Sequence, residues 1–342
     1  MSSFIDIASF AFVLANVRSI SRAQLIILCL SIPVILYSFS VVIIDAKNLV
    51  DYLLIIKPIV YLSLLNCLDF KSDIGKRGFM SFVKIILFLF FVKYLFSVIL
   101  GLNIRPLLLR ENNFELMFIF PLYSIFLFSP LKLGKVFHFF VLGVVALSGS
   151  KSGLIIYLFL GSLYVIYSFG IKPRGMAIIS MIAILVMIGL MIILPSSLLL
   201  EIKLIDRFAM AVVSWQEFQD FSLIEWVLGK PFITPLMASS CSALYYYPGL
   251  FSHAGDGSCY SVILHMFNFR AIYDYGLLGL LLIWLGVYHI FVRILMDRRM
   301  SIIITLTFML NGFSVSSINS SFFLLTVIVL YIFKKDVRFN HA

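Results

Sequence analysis

The chain is expected to fold as an all-α polytopic membrane protein, one integral membrane domain over residues 1–342 with ten or eleven transmembrane helices and a single long loop, 195–271. Three observations carry this: composition, helix-length apolar runs and the spacing of basic clusters. With 62% hydrophobic and 12% charged residues and a mean hydropathy of +1.11, 342 residues cannot clothe a soluble globule in polar surface. The runs are continuous, without the strict alternation of a membrane barrel. No cleavable signal peptide is expected, since the first apolar run has Asp6 in front, basic residues behind and no small-residue cleavage site after it.

The formal charge of +10 suggests nucleic acid only until its distribution is considered. Basic clusters fall at every second loop: Arg18 and Arg22; Lys71, Lys76 and Arg77; Lys132 and Lys135; Lys172 and Arg174; Arg293, Arg298 and Arg299; Lys334, Lys335 and Arg338. These fifteen face only four acids on the same loops, which marks them as cytoplasmic. The excess charge is therefore a topology signal, and no nucleic-acid partner is expected.

Taken in order, Phe4 to Val17 is short for a hydrocarbon core that takes about 20 residues, so it either spans or lies in the interface. Spans are predicted at Ala23 to Ile44, Leu49 to Leu68, Phe79 to Gly101, Phe114 to Ser129, Val136 to Ser148, Gly153 to Phe169 and Met176 to Leu194. Beyond the long loop come Ile272 to Leu295, Ser301 to Ser317 and Phe322 to Phe333. The parity puts the turn at Lys47, the loop Leu102 to Asn113, the hairpin Ser148 to Ser152, the long loop and the turn Ser314 to Ser321 on the outer face. Three lysines fall inside spans. Lys84 is near enough to the inner end to snorkel, whereas Lys57 and Lys93 call for a polar cavity or an ion pair. Lys57 also precedes Pro58, whose ring frees a carbonyl that needs a partner.

Candidate chemistry gathers on that outer face. Arg105 and Arg110 flank a short loop and could hold a phosphate bidentately or anchor to headgroups. The hairpin Ser148-Gly149-Ser150-Lys151-Ser152-Gly153 offers small residues and one ammonium to an anion, or is an ordinary turn; it lacks nucleotide-loop spacing. In the long loop Glu201 to Gln219 has helical spacing with Arg207 near its start. A tract from Tyr245 to Tyr260, carrying His253 and Asp256, suits sugar rings or a membrane surface. Cys241 and Cys259 could bridge in an oxidising compartment, worth about 3 kcal/mol. No zinc spacing and no acidic pair for a nucleotide-sugar metal is present, so neither metal nor cofactor is expected. On a helix, His265, Asn268 and Phe269 would share a face, pointing an imidazole and an amide together.

Three of these features in this order carry a resemblance: the small-residue hairpin around Lys151, Arg207 opening a long outer loop, and His265 ten residues before Tyr275-Gly276-Leu277-Leu278-Gly279. Together, over roughly Arg105 to Leu282, the chain resembles the O-antigen polymerase and ligase superfamily of the Wzy type. The resemblance implies a GT-C-like membrane fold in the bacterial inner membrane with its active site facing the periplasm. It implies a donor of undecaprenyl-diphosphate-linked oligosaccharide, membrane lipid as surroundings and a chain-length regulator as a protein partner. It further implies transfer of the growing glycan from its carrier onto a lipid-linked repeat unit. Cations stabilise the leaving diphosphate without a metal: Arg207 as a catalytic group, with Arg105, Arg110, Lys151 and Arg270 binding the diphosphate. His265 is the expected catalytic base, and His253, Asp256 and Tyr260 are expected to bind substrate. A ligase that moves glycan to a lipid A core shares the donor chemistry. A non-enzymatic flippase is the third reading, and it would need charges spread through the bundle and inverted repeats, which the sequence lacks.

Overall fold

The computed structural model describes residues 7, 8, 11, 12, 15, 22–67, 76–101, 112–128, 135–168 and 206–333. Among these residues all regular structure is helical. The first half holds α1 (Arg22–Ile44), α2 (Leu49–Cys67), α3 (Lys76–Ile99), α4 (Asn112–Phe128), α5 (Lys135–Leu147) and α6 (Lys151–Ser168). The second holds α7 (Asp206–Gln219), α8 (Leu223–Leu228), α9 (Ala238–Ala243), α10 (Phe267–Leu295), α11 (Arg298–Asn311) and α12 (Ser321–Ile332). Four are long and apolar enough to cross a membrane, Gln24–Ile44, Leu49–Asn66, Gly78–Ile99 and Phe267–Leu295. The protein is thus a helical membrane protein. The expected spans at 4–17 and 176–194 fall largely or wholly outside the described residues.

The bundle is built around α4. A helix that is apolar on every side buries every side, and Phe114 through Phe126 are all buried. Helices α6, α11 and α12 pack along it, and α3 is joined to it by an ion pair. That pair resolves Lys93. Its ammonium bonds Glu115, which is wholly buried and also accepts from the Tyr94 hydroxyl at 2.8 Å. The other intramembrane lysines lie over aromatic faces, Lys57 at 5.1 Å from the Tyr61 ring and Lys84 at 5.1 Å from Phe137.

Contacts at the helix ends sort the connections into two groups. At one end, the start of α4 meets the start of α12 through Phe114 and Phe322, their rings 6.4 Å apart. The first turns of α2 meet the long loop and the turn at 312–320 there too. At the other end Gln24, Asn66 and Arg293 join α1, α2 and α10, with both side chains donating to the Asn66 carbonyl. The turn at Lys47, the hairpin at Lys151, the long loop and the turn at 314–321 therefore share one end of the bundle.

The most consequential departure from the expected spans is in α10. Its 29 residues are not one rod. Asn268 accepts a hydrogen bond from the Trp284 indole at 3.2 Å, and the rings of Phe267 and Trp284 are 5.9 Å apart. In a straight helix sixteen residues separate two positions by about 24 Å. The reversal is at Gly276, where φ is 68° and ψ is −176°. A side chain there would suffer the left-handed backbone and would also overlap the Val227 carbonyl. So residues 267–275 form a re-entrant arm, and 277–295 form the arm that crosses, about 28 Å long.

The re-entrant arm is wedged between α2 and α11, with its polar groups satisfied by protein. The amides of Phe267 and Asn268 donate to the carbonyls of Val315 at 3.2 Å and Gly312 at 3.1 Å. The Asn268 amide nitrogen donates to the Met309 carbonyl at 2.9 Å. Irregular backbone at membrane depth is tolerated when buried in protein in this way. There is room for it because α11 and α12 have only 14 and 12 residues, about 21 and 18 Å, against a hydrocarbon core of about 30 Å.

Candidate functional site

Over its described residues, 206–271, the long loop is folded, and three devices brace it and hold it to the bundle. The first is the disulfide between Cys241 and Cys259, whose Cα atoms are 5.6 Å apart. It closes a loop of separation 18 and joins α9 to the segment entering the re-entrant arm. The second is Asp51 in the first turn of α2, 3% exposed. It accepts from the Ser252 hydroxyl at 2.7 Å and the His253 amide at 3.2 Å. The third is backbone on backbone. Gly229, with φ at 85°, packs where a side chain would lie 2.6 Å from the Tyr275 nitrogen, and the Lys230 amide caps the Tyr273 carbonyl at 2.8 Å.

His265 precedes the re-entrant arm, which starts at Phe267. Its Nδ1 is 3.4 Å from the Ser316 hydroxyl, and its ring meets Tyr247 edge-on at 5.8 Å. The expected pairing with Asn268 is corrected here. Because no helix continues through His265, the two side chains are not on one helical face, and Asn268 points inward to Trp284 and Met309. Arg207 lies in the first turn of α7, with Nη1 at 3.9 Å from the Met210 sulfur. Met210 belongs to the buried cluster that also holds Leu264 and Met266, on either side of His265. The two expected catalytic residues therefore flank one apolar cluster in the folded loop.

A cavity of about 480 Å³ opens in the same loop, its lining including Tyr245, Phe251, Ser242, Asp256 and Ser258 over Cys241. Tyr245, Tyr246 and Tyr247 run from its wall toward the imidazole, with successive ring centroids 6.1 and 4.6 Å apart. Asp256 is exposed, in a turn containing Gly255 and Gly257 at φ of 73° and 75°. The Ser258 hydroxyl at 2.6 Å and amide at 2.9 Å hold its carboxyl below the usual carboxylate range. Planar rings, hydroxyls and one ionised carboxylate around an open cavity suit a polyhydroxylated ligand.

The remaining expected site residues divide. His253 is exposed in the loop. Tyr260 is 5% exposed and packs among Val42, Tyr52, Ile55 and Ile56, and burial raises its phenol pKa. It is a packing residue more than a lining one. Arg270 is corrected more firmly: it is 2% exposed and ion-paired with Asp274 at 3.4 Å. It also donates to the Leu54 carbonyl at 2.6 Å. That carbonyl is the one that Pro58 leaves without a helical donor, so Arg270 is committed to holding α2 against the re-entrant arm. Lys151 is exposed at the start of α6. Around it the amides of Ser150 and Gly153 bond serine hydroxyls at 3.2 and 2.9 Å, and the hydroxyls of Ser150 and Ser152 both reach the Asn113 side-chain oxygen. These two amides are therefore occupied within the turn. Arg105 and Arg110 lie outside the described residues.

Sequence reasoning missed Asp51, Asp274 and Glu217, three buried carboxyl groups that organise the loop. Glu217 accepts from the Met237 amide at 2.8 Å, and Asp274 accepts from the Ser261 hydroxyl at 2.8 Å. Asp51 and Asp274 lie within apolar stretches, and a carboxylate inside an apolar stretch was the available signal. Among the described residues no group of His, Cys, Asp and Glu could hold a metal ion.

Fold and site together define a class: a helical membrane protein with a disulfide-bonded loop domain seated on one end of its bundle. Comparison with known proteins goes no further, since no family model, curated protein or solved structure matches the chain significantly.

Proposed function

We propose that the chain polymerises polyprenyl-diphosphate-linked oligosaccharide repeat units into O-antigen or a related surface polysaccharide. In this reading it is a GT-C-like bundle of ten or eleven spans in the bacterial inner membrane, with the loop end facing the periplasm. One observation supports it most: an imidazole beside a hydroxyl, joined by three tyrosine rings to a cavity suited to sugars, all at the bundle end that receives the loop.

The acceptor hydroxyl of a lipid-linked repeat unit attacks the anomeric carbon of the growing glycan. The new carbon–oxygen bond forms as the bond to the carrier diphosphate breaks, and His265 takes the hydroxyl proton. The diphosphate leaves with the bonding electron pair, and Arg207, with Lys151 and the sequence-predicted Arg105 and Arg110, balances its charge. Arg270 has no part in this, given its burial. The experiment is reconstitution of the purified protein with a lipid-linked repeat unit. A ladder of products that His265→Ala abolishes supports the polymerase. Transfer only to a lipid A core points to the ligase, and movement across the bilayer without new bonds to the flippase.

A further inference from the structure

Helix α8 carries a surface that the loop does not need for its own packing. Leu223, Ile224, Val227 and Leu228 recur at the spacing of one helical face and are 82, 71, 43 and 58% exposed. The opposite side is filled: Trp226 packs on Phe218 and Phe221 with ring centroids 5.3 and 5.7 Å apart. The polar groups of the segment collect at its ends. Ser222 and Glu225 form a reciprocal cap, and Glu225 pairs with Lys230 at 2.7 Å.

The location of this face indicates what covers it. The Val227 carbonyl abuts Gly276, the first turn of the crossing arm of α10. Leu278 and Leu282 on that arm are themselves 45 and 59% exposed, as lipid-facing residues of a membrane-spanning helix are. The aliphatic face of α8 thus adjoins the exposed apolar surface of the crossing arm, at the end where that arm begins. An aliphatic face with charged groups at its edge is what an interfacial helix presents to the boundary between headgroups and acyl chains.

We propose that α8 lies in the headgroup–acyl boundary with its Leu223–Leu228 face in phospholipid, fastening the loop domain to the membrane at the α10 reversal. The proposal rests on the membrane fold and is independent of the polymerase reading.

The test uses full-length protein in phosphatidylethanolamine–phosphatidylglycerol vesicles, with Cys29 and Cys67 replaced by serine and the native disulfide kept. A nitroxide is attached in turn at Leu223→Cys and Ile224→Cys, with Leu282→Cys as the lipid reference and Tyr245→Cys as the water reference. Collision with oxygen and with a water-soluble nickel chelate is then read by power-saturation spectroscopy. The expected result is an oxygen-to-nickel ratio at both α8 sites several times that of Tyr245→Cys and close to that of Leu282→Cys. A ratio like that of Tyr245→Cys places the face in water, and low collision with both reagents places it against protein, whether another segment or a second copy; either overturns the proposal. Both positions are solvent-facing in the chain itself, and a monodisperse elution profile with Cys241 and Cys259 still oxidised shows that each variant is folded.

Discussion

The Ser252 hydroxyl donates to the Asp51 carboxylate at 2.7 Å across 201 residues of sequence, and this contact ties the loop domain to the first turn of α2. Hydrogen bonds to a charged group contribute roughly 1.5–3 kcal/mol, and removing one partner leaves the other stranded. Asp51→Ala should therefore lower stability by about that amount and release the turn locally. Hydrogen exchange at residues 252–258 should rise well above its wild-type level while exchange in α4 stays unchanged.

Gly276 is held in a conformation that other residues rarely adopt, with another backbone against it. Strain of this kind costs on the order of 1–3 kcal/mol before any overlap is counted. Gly276→Ala should lower the melting temperature in detergent substantially, and Gly279→Ala supplies no control because it crowds Tyr275. Gly161 is the suitable control, since a side-chain carbon added there would meet no atom within 4 Å, and Gly161→Ala should be nearly neutral.

Lys93 and Glu115 are a buried pair, and breaking such a pair from one side costs about 3–5 kcal/mol, whereas replacing both members can be neutral. Lys93→Met and Glu115→Leu should each reduce folded yield sharply. The double variant should recover most of the loss, with Tyr94 retaining a residual cost because its hydroxyl loses its acceptor. Equal damage in single and double variants would contradict an ion pair that serves only structure.

Glu225 gives a pH dependence of known sign. The Lys230 ammonium and the Ser222 amide push its carboxyl from 4.5 down to about 2. A depressed carboxylate contributes stability that is fully present above its unfolded value and lost as pH falls through its folded value. Being partly exposed at the surface, it is worth less than about 1 kcal/mol after solvent screening. Glu225→Gln should melt slightly below wild type at neutral pH, and the gap should close between pH 4.5 and 2.

Much of the bundle was legible because apolar runs and lysine positions have direct physical meanings. Lys93 demanded a partner and has Glu115. Pro58 demanded a donor for its freed carbonyl and has Arg270. The hairpin at Lys151 ends helices where its small residues indicated. The re-entrant arm was not legible: hydropathy gives no sign of direction, so Phe267 to Leu295 looks the same straight or reversed at Gly276. The site was legible in outline only. His265 and Arg207 do share the folded loop, but burial separates Arg270 and Tyr260 from the exposed groups, and burial of an isolated polar residue depends on which distant segments meet there.

The most direct measurement is the banding of surface polysaccharide from cells in which the chain is replaced by its His265→Ala variant, with membrane levels matched. The account predicts loss of long-chain material and accumulation of single-repeat product, restored by the wild-type chain. Unchanged long-chain banding would contradict it.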